Sequence, residues 1–353
     1  MRNHLVDIAT FDLAGRSYDE VVAVPDADAT QFVAGLERER ILGLGVRALQ
    51  AGRLALCDES TQQMIERHDT VMSQSLQIEL MTLRVFRLLE SRGIRHRLLK
   101  GGALAHSIAS NPSDRSFRDL DVLIPGPSLD SAVDVLVGEG ATRLQPALRP
   151  GFDRRFGKSV TLRLDEVEID LHRLLAPGPF GVWMHPNDLF VLKDQVQIAN
   201  RTIPTLDVTD HLLHGCYHVA LGQPVPVLAN LRDVVLLAAA DVDWDRVDEV
   251  VKRWRGTAVM QRCVKLVMDR LNVSLPERLT AFRRAVVVAN ERVAINPYLT
   301  DDPAGRFSAL APATFKALPL GDRPAFAQAV GYPEGSDPIE RTRELTKRLF
   351  WKG

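Results

Sequence analysis

The chain has 353 residues, a formal net charge of −1 and 46% hydrophobic residues, enough to bury a large core in one or two domains. Its near-neutral balance supplies no bulk field for gathering nucleic acid. Cys57, Cys216 and Cys263 are widely spaced and form no C-x-x-C pair, which argues against a disulfide framework or a zinc knuckle. The segment Met1 to Asp7 has no apolar signal core, and the strongly apolar run near Val234 to Ala240 is too short to cross a bilayer. A cytoplasmic setting without a membrane partner is expected.

From about Thr30 to Gly93, Leu and Val recur at three- and four-residue spacing through Phe32-Val33, Leu36, Ile41-Leu42, Val46 and Leu49, which predicts helices. A long helix is expected over Thr61 to Ser91, closed by Gly93. Arg97-Leu98-Leu99-Lys100 reads as a short buried strand entering a Gly101-Gly102 turn, followed by a helix from Ala103 to Ala109. A strand is expected from Asp119 to Ile124, stopped by Pro125-Gly126-Pro127. Ser128 then caps a helix reaching Val137. Val160 to Leu164 and Val167 to Leu171 alternate around Asp165-Glu166, the pattern of an antiparallel hairpin. Beyond a Pro177-Gly178-Pro179 linker, Asp207 to Asp210 opens a series of helices at His211 to Leu221, Ala229 to Ala240, Asp245 to Arg255 and Met260 to Leu271. A last helix is expected over Ile339 to Phe350. These elements divide the chain into an N-terminal helical segment (1–93), a core (94–178) and a mostly helical C-terminal part (179–353).

The chemistry concentrates in the core. Side chains alternate along a strand, so Asp119 and Asp121 are expected to project together while Leu120 and Val122 point the other way. Neighbouring carboxylates repel unless positive charge lies between them, and a hard divalent cation is the usual occupant. On the downstream strand Glu168, Asp170 and His172 share a face opposite Val167, Ile169 and Leu171. Asp119 and Asp121 are candidate shared ligands of two Mg2+ ions. Asp170 is the candidate ligand on the nucleophile side. Gly101-Gly102 allows close backbone approach, and the helix that follows directs amides at phosphate. Lys100, Arg115 and Arg118 are the nearby cations suited to the β- and γ-phosphates of a nucleoside triphosphate.

In that order the residues resemble the DNA polymerase beta superfamily of nucleotidyltransferases: a glycine turn, an Asp-x-Asp strand and a third Asp on a later strand. Lys100-Gly101, Arg115 through Asp119-Leu120-Asp121, and Asp170-Leu171-His172 are similar to a group of uncharacterised bacterial nucleotidyltransferases with Lys-Gly, Arg-x-x-x-Asp-x-Asp and Asp-Leu-His motifs. The likeness covers about residues 95 to 175. It weakens to about residue 271, through Leu213 to His218 and Leu231-Arg232-Asp233. The superfamily often carries Gly-Ser where this chain has Gly101-Gly102, and the interval to Asp119 is longer, implying a substrate-facing insertion at Ser110 to Phe117. The resemblance implies an α+β fold: a small mixed sheet of nucleotidyltransferase type flanked by an N-terminal helical segment and a C-terminal helical bundle. The implied reaction is Mg2+-dependent transfer of a nucleoside monophosphate from a nucleoside triphosphate, ATP by default, to an acceptor hydroxyl, with release of pyrophosphate.

Simpler readings apply to individual residues. An isolated Asp-x-Asp is commonly a solvated strand end, and Lys100 can be a solvated strand terminus. Arg115 and Arg118 can be surface charges paired with Asp114. His172 can hydrogen-bond structurally, and Glu168 can be solvated. Arg232 and Asp233 read as a helix-surface pair. His211, His214 and His218 lie on one helical face; a zinc site there lacks a nearby Cys or carboxylate at ligand spacing, and a polar face turned to a cleft is favoured. Among whole-chain functions, a kinase or phosphohydrolase would use the same metals, and a non-catalytic nucleotide-binding protein would use none of the chemistry. The acceptor classes are a small molecule, a protein side chain or, less favoured by the charge, an RNA end.

Overall fold

The computed structural model describes residues 2–13, 21–145, 148–191, 194–300 and 303–331; the helix expected over Ile339 to Phe350 lies outside them. The chain begins with α1 (Arg2–Ala9), β1 (Val22–Ala23), α2 (Asp26–Arg38), α3 (Leu42–Gln50), β2 (Leu54–Ala55) and the 34-residue α4 (Asp58–Ser91). Next come β3 (Arg97–Leu98), α5 (Lys100–Ser107), β4 (Leu120–Leu123), α6 (Leu129–Gly138), β5 (Thr142–Arg143) and α7 (Phe152–Phe156). The hairpin β6 (Ser159–Leu164) and β7 (Val167–His172), the short α8 (Gly178–Trp183) and a second hairpin, β8 (Asp194–Ile198) and β9 (Arg201–Thr205), complete the strands. The helices α9 (Val208–Leu221), α10 (Leu228–Ala238), α11 (Trp244–Arg253) and α12 (Thr257–Leu271) follow, with further helical pieces to Gly331, the longest Pro303–Ala317.

Seven strands form one mixed sheet in the order β5-β6-β7-β4-β3-β9-β8, and the fold is α+β. Two of them, β8 and β9, come from beyond residue 179, in a stretch that carried no strand expectation. The hairpin expected around Asp165-Glu166 forms, with both turn residues at positive φ. One sheet face is apolar. Leu120, Val122, Leu162, Ile169, Leu171 and Ile203 pack there against Val85, Phe86 and Leu89 of α4 and Leu129, Ala132 and Leu136 of α6. A second core joins the two ends of the chain: Leu5 and Ile8, Phe32 and Leu36, Leu42 and Leu44 share it with Leu212 and Tyr217, Leu231 and Val234, and Met260 and Val264. Helix α4, about 51 Å long, runs from one core to the other, burying Met64 at its start and Leu89 at its end.

Several local expectations shift. The strand expected from Asp119 begins at Leu120, which leaves Asp119 on the bend before it. Gly101 and Gly102 lie inside the first turn of α5, and Lys100 takes the left-handed conformation instead, at φ 45°. Ser128 makes no side-chain cap. Asp207 does cap α9, its carboxylate accepting from the Asp210 N–H at 2.9 Å. The 110–117 loop is held under the N-terminal helices, with Asp114, Arg115, Ser116 and Phe117 buried, where a substrate-facing insertion was expected. A Cβ on Gly43 in α3 would fall 1.8 Å from the Ser113 carbonyl oxygen. Gly43→Ala is therefore expected to lower stability by at least about 1 kcal/mol through overpacking, read as a lower denaturant midpoint. An unchanged midpoint would show that α3 does not clamp the loop.

Candidate functional site

The site is set by register. Strands β4 and β7 are parallel neighbours with Asp121 opposite Asp170 and Leu123 opposite His172, so Asp121, Asp170 and His172 emerge on one face, opposite the apolar one. All three are buried, and one ligand atom from each lies within 4.8 Å of the others. From the adjacent β6, Thr161 sits opposite Asp170 and donates its hydroxyl to Asp170 Oδ1 at 2.6 Å.

Positive charge meets these acids from several directions. The Leu99 N–H extends the ladder to the Asp121 carbonyl at 3.0 Å. The left-handed Lys100 that follows brings its ammonium 2.9 Å from Asp121 Oδ1. His172 Nε2 lies 2.6 Å from the same oxygen and 3.8 Å from Asp170 Oδ2. Burial and the charges of Lys100 and Lys158 hold the His172 pKa below the ordinary imidazole range, against the pull of Asp121. His172 is therefore a neutral ring whose Nε2–H donates to Asp121, and its buried Nδ1 has no hydrogen-bond partner. This donor set fits a divalent cation: two adjacent carboxylates are hard oxygen ligands, and an imidazole is compatible with such a site.

The other residues singled out by sequence are dispersed. Asp119 is half-buried and lies outside the Asp121–Asp170–His172 cluster. Gly101 packs on Phe117, whose Cβ would be 2.6 Å from an added methyl. Close packing against this side chain accounts for that glycine. Arg115 is buried against Asp233 of α10, with Nε 3.0–3.1 Å from both carboxylate oxygens and Nη2 2.9 Å from one. That fork-to-fork pair occupies the guanidinium expected to hold phosphate. Asp114, expected beside Arg115 or Arg118, pairs with Arg47 at 3.0 Å. Arg118 is exposed near Glu37, at 3.7 Å. Arg232 and Asp233 are buried and do not pair with each other; Arg232 donates to the carbonyls of Ala9 and Phe11. Glu168 pairs with Arg163.

The histidine face of α9 looks into the site. Lys100, Arg115, His214, His218, Asn230 and Asp233 line a small cleft beside the acids. His211 is engaged: Thr205 Oγ1 donates to the Leu98 carbonyl at 2.7 Å, so it accepts from His211 Nε2–H at 3.0 Å. His214 Nε2 is buried without a partner.

Residues that sequence reasoning did not single out also belong here. Thr161 fixes Asp170, and Lys158 acts electrostatically on His172 and His218. Arg40, at the end of α2, acts on His218 and experiences the charges of Asp119, Asp121, Arg115 and Arg118. Strand pairing signals Thr161 once the hairpin register is known. Nothing local marks Arg40 or Lys158, which arrive from distant segments.

With that geometry in place, the chain matches the model of a family described as uncharacterised nucleotidyltransferase over residues 25–272. It belongs to that family and is a nucleotidyltransferase. Among solved structures it is similar to an antigenic nucleotidyltransferase-like protein from Paracoccidioides brasiliensis, at 13% identity and a TM-score of 0.33, covering 60% of this chain and 97% of that one. No curated protein matches it.

Two predictions follow from burial of these charges. Arg115→Ala leaves the Asp233 carboxylate buried and unpaired, so unfolding free energy is expected to fall by about 3–5 kcal/mol. A denaturant midpoint equal to wild type would contradict the pairing. Burial lowers the pKa of His211 to about 3 and moves His214 and His218 the same way. The unfolded chain, with histidine near 6.5, then binds more protons than the folded one, and stability should fall as pH drops below 6.5, by up to about 1.4 kcal/mol per unit for each ring. Asp210, raised to about 6 by burial, opposes this between pH 6 and 4 with a single proton. A lower urea midpoint at pH 5 than at pH 7 is expected, with a smaller gap in His211→Gln.

Proposed function

We propose that this chain is a Mg2+-dependent nucleotidyltransferase that moves a nucleoside monophosphate from a nucleoside triphosphate, ATP by default, to an acceptor hydroxyl and releases pyrophosphate. The observation that carries this reading is the side-by-side register of Asp121 and Asp170 on adjacent parallel strands. Buried neighbouring carboxylates are costly without a cation between them. When bound, divalent metal supplies Lewis-acid charge to the phosphoryl oxygens and the leaving pyrophosphate. Asp121 and Asp170 are its protein ligands in this proposal, and Asp119 serves a second ion from the bend before β4.

The protein's own groups have distinct tasks. His172, through its Nε2–H, fixes the orientation of Asp121. Thr161 orients Asp170 through a hydrogen bond to Oδ1, and the Asp170 carboxylate is the proposed acceptor of the attacking hydroxyl's proton. Lys100 neutralises Asp121 in the resting protein and is suited to exchange that contact for a phosphate oxygen when nucleotide binds. Arg118, exposed at the same edge, is the second proposed phosphate cation. Arg115 acts through Asp233, positioning the 115–119 loop. The neutral charge balance favours a small-molecule or protein acceptor over an RNA end, and the free cysteines suit a cytoplasmic setting. Among the described residues no helix is long and apolar enough to cross a membrane.

The test is incubation of the protein with Mg2+, each α-32P nucleoside triphosphate and a cell extract. Label on an acceptor together with pyrophosphate is the expected outcome. Transfer from the γ-phosphate with diphosphate release would make the chain a kinase. Asp121→Asn should lower transfer by roughly a thousandfold or more, since the metal term is worth several kcal/mol. Its melting temperature should stay close to wild type, because relief of the repulsion with Asp170 is offset by loss of the Lys100 ion pair. Retained transfer would remove Asp121 from the metal site.

A further inference from the structure

We propose that Arg40, delivered by the turn between α2 and α3, is a triphosphate-binding residue of the active site, so that the N-terminal helical segment completes the donor site. The inference rests on the nucleotidyl-transfer reading above.

Three observations converge on Arg40. The first is backbone strain. Helix α2 ends with the Ile41 N–H on the Leu36 carbonyl and the Arg40 N–H on the Glu37 carbonyl, at 2.9 and 3.0 Å, while Arg40 itself sits at φ 59°. That is the left-handed position after a helix where glycine is favoured and a side chain is costly. Strain of this kind marks sites where the side chain has a use.

The second is placement. The turn is held from both sides: the Glu39 carbonyl accepts from Ala229 N–H at 3.2 Å, and the Glu39 carboxylate accepts from Leu228 N–H at 2.9 Å. One turn earlier Glu37 meets Arg118, and just afterwards Gly43 touches the Ser113 carbonyl. Arg40 is thereby fixed beside the loop leading to Asp119 and Asp121, whose charges its guanidinium experiences together with those of Arg115 and Arg118.

The third is vacancy of function. Arg115 is consumed by Asp233, and Lys100 by Asp121. The Arg40 side chain is half-buried and makes no ion pair or hydrogen bond among the described residues. A guanidinium held near metal-binding acids without a partner is a forked donor ready for a phosphate. The charges of both Asp119 and Asp121 act on it, which suits the triphosphate tail, bound beside the metal, rather than the acceptor.

The test measures binding of the four ribonucleoside triphosphate analogues bridged by CH2 between the α- and β-phosphates, with Mg2+, to wild type, Arg40→Gly and Arg40→Lys. The matching nucleoside monophosphates are the control ligands. Arg40→Gly should melt at or above the wild-type temperature, because glycine relieves the left-handed strain. It should also weaken the preferred triphosphate analogue by roughly ten- to a hundredfold, with little change for the monophosphate. Arg40→Lys should recover part of the affinity. If wild type binds an analogue and Arg40→Gly binds it equally, the assignment of Arg40 is overturned while the nucleotidyl-transfer reading stands. A lower melting temperature with equal loss for both ligands would make Arg40 structural and overturn the assignment. No binding by wild type would overturn both.

Discussion

The repulsion between two carboxylates placed side by side in a buried sheet is the constraint around which this molecule is arranged. Asp121 and Asp170 face each other across a parallel pair of strands, where water cannot screen them well and charge must be met by charge. Lys100 adopts a strained backbone to reach Asp121, His172 gives Asp121 its N–H, and Thr161 gives Asp170 its hydroxyl. Each of these contacts offsets part of the cost of burying two adjacent charges.

The same economy of charge joins the sheet to its surroundings. The half-buried pair Arg47 with Asp114 and the buried pair Arg115 with Asp233 tie the loop before Asp119 to α3 on one side and α10 on the other. Such pairs add little net stability compared with apolar packing, but losing one partner is expensive. They specify where the loop lies. The helical ends of the chain thus act as the frame that holds the acid-bearing loop, and the cleft between α5, α9 and α10 inherits its lining of His214, His218 and Asn230 from that frame.

Much of the fold was legible in the chain because its signals are local. The period of Leu and Val along residues 30–91, the strict alternation around Asp165-Glu166 and the Asp207 cap depend on neighbours a few residues apart. The placement of Asp121 and of Asp170 on the polar faces of their strands was legible from alternation, while their side-by-side meeting came from the β4–β7 register. Asp119 was expected to share it, but the bend before Leu120 ends the alternation one residue too soon. The β8–β9 hairpin escaped notice because Asp194 to Thr205 is mostly polar, with Val196, Ile198 and Ile203 as its core residues, and it joins the sheet through the Leu98–Thr205 pairing.

The sequence by itself determined which residue types and spacings were available: helices at both ends, a hairpin in the middle, and acids at period two on strands. Tertiary structure alone decided which cations meet those acids. Arg115, beside them in sequence, is claimed by Asp233 118 residues away. Arg40 and Lys158, distant in sequence, come into their field. The physical reason is that periodicity reports the faces of single elements, whereas Coulomb interactions depend on through-space distance and burial, which exist only once the elements have packed.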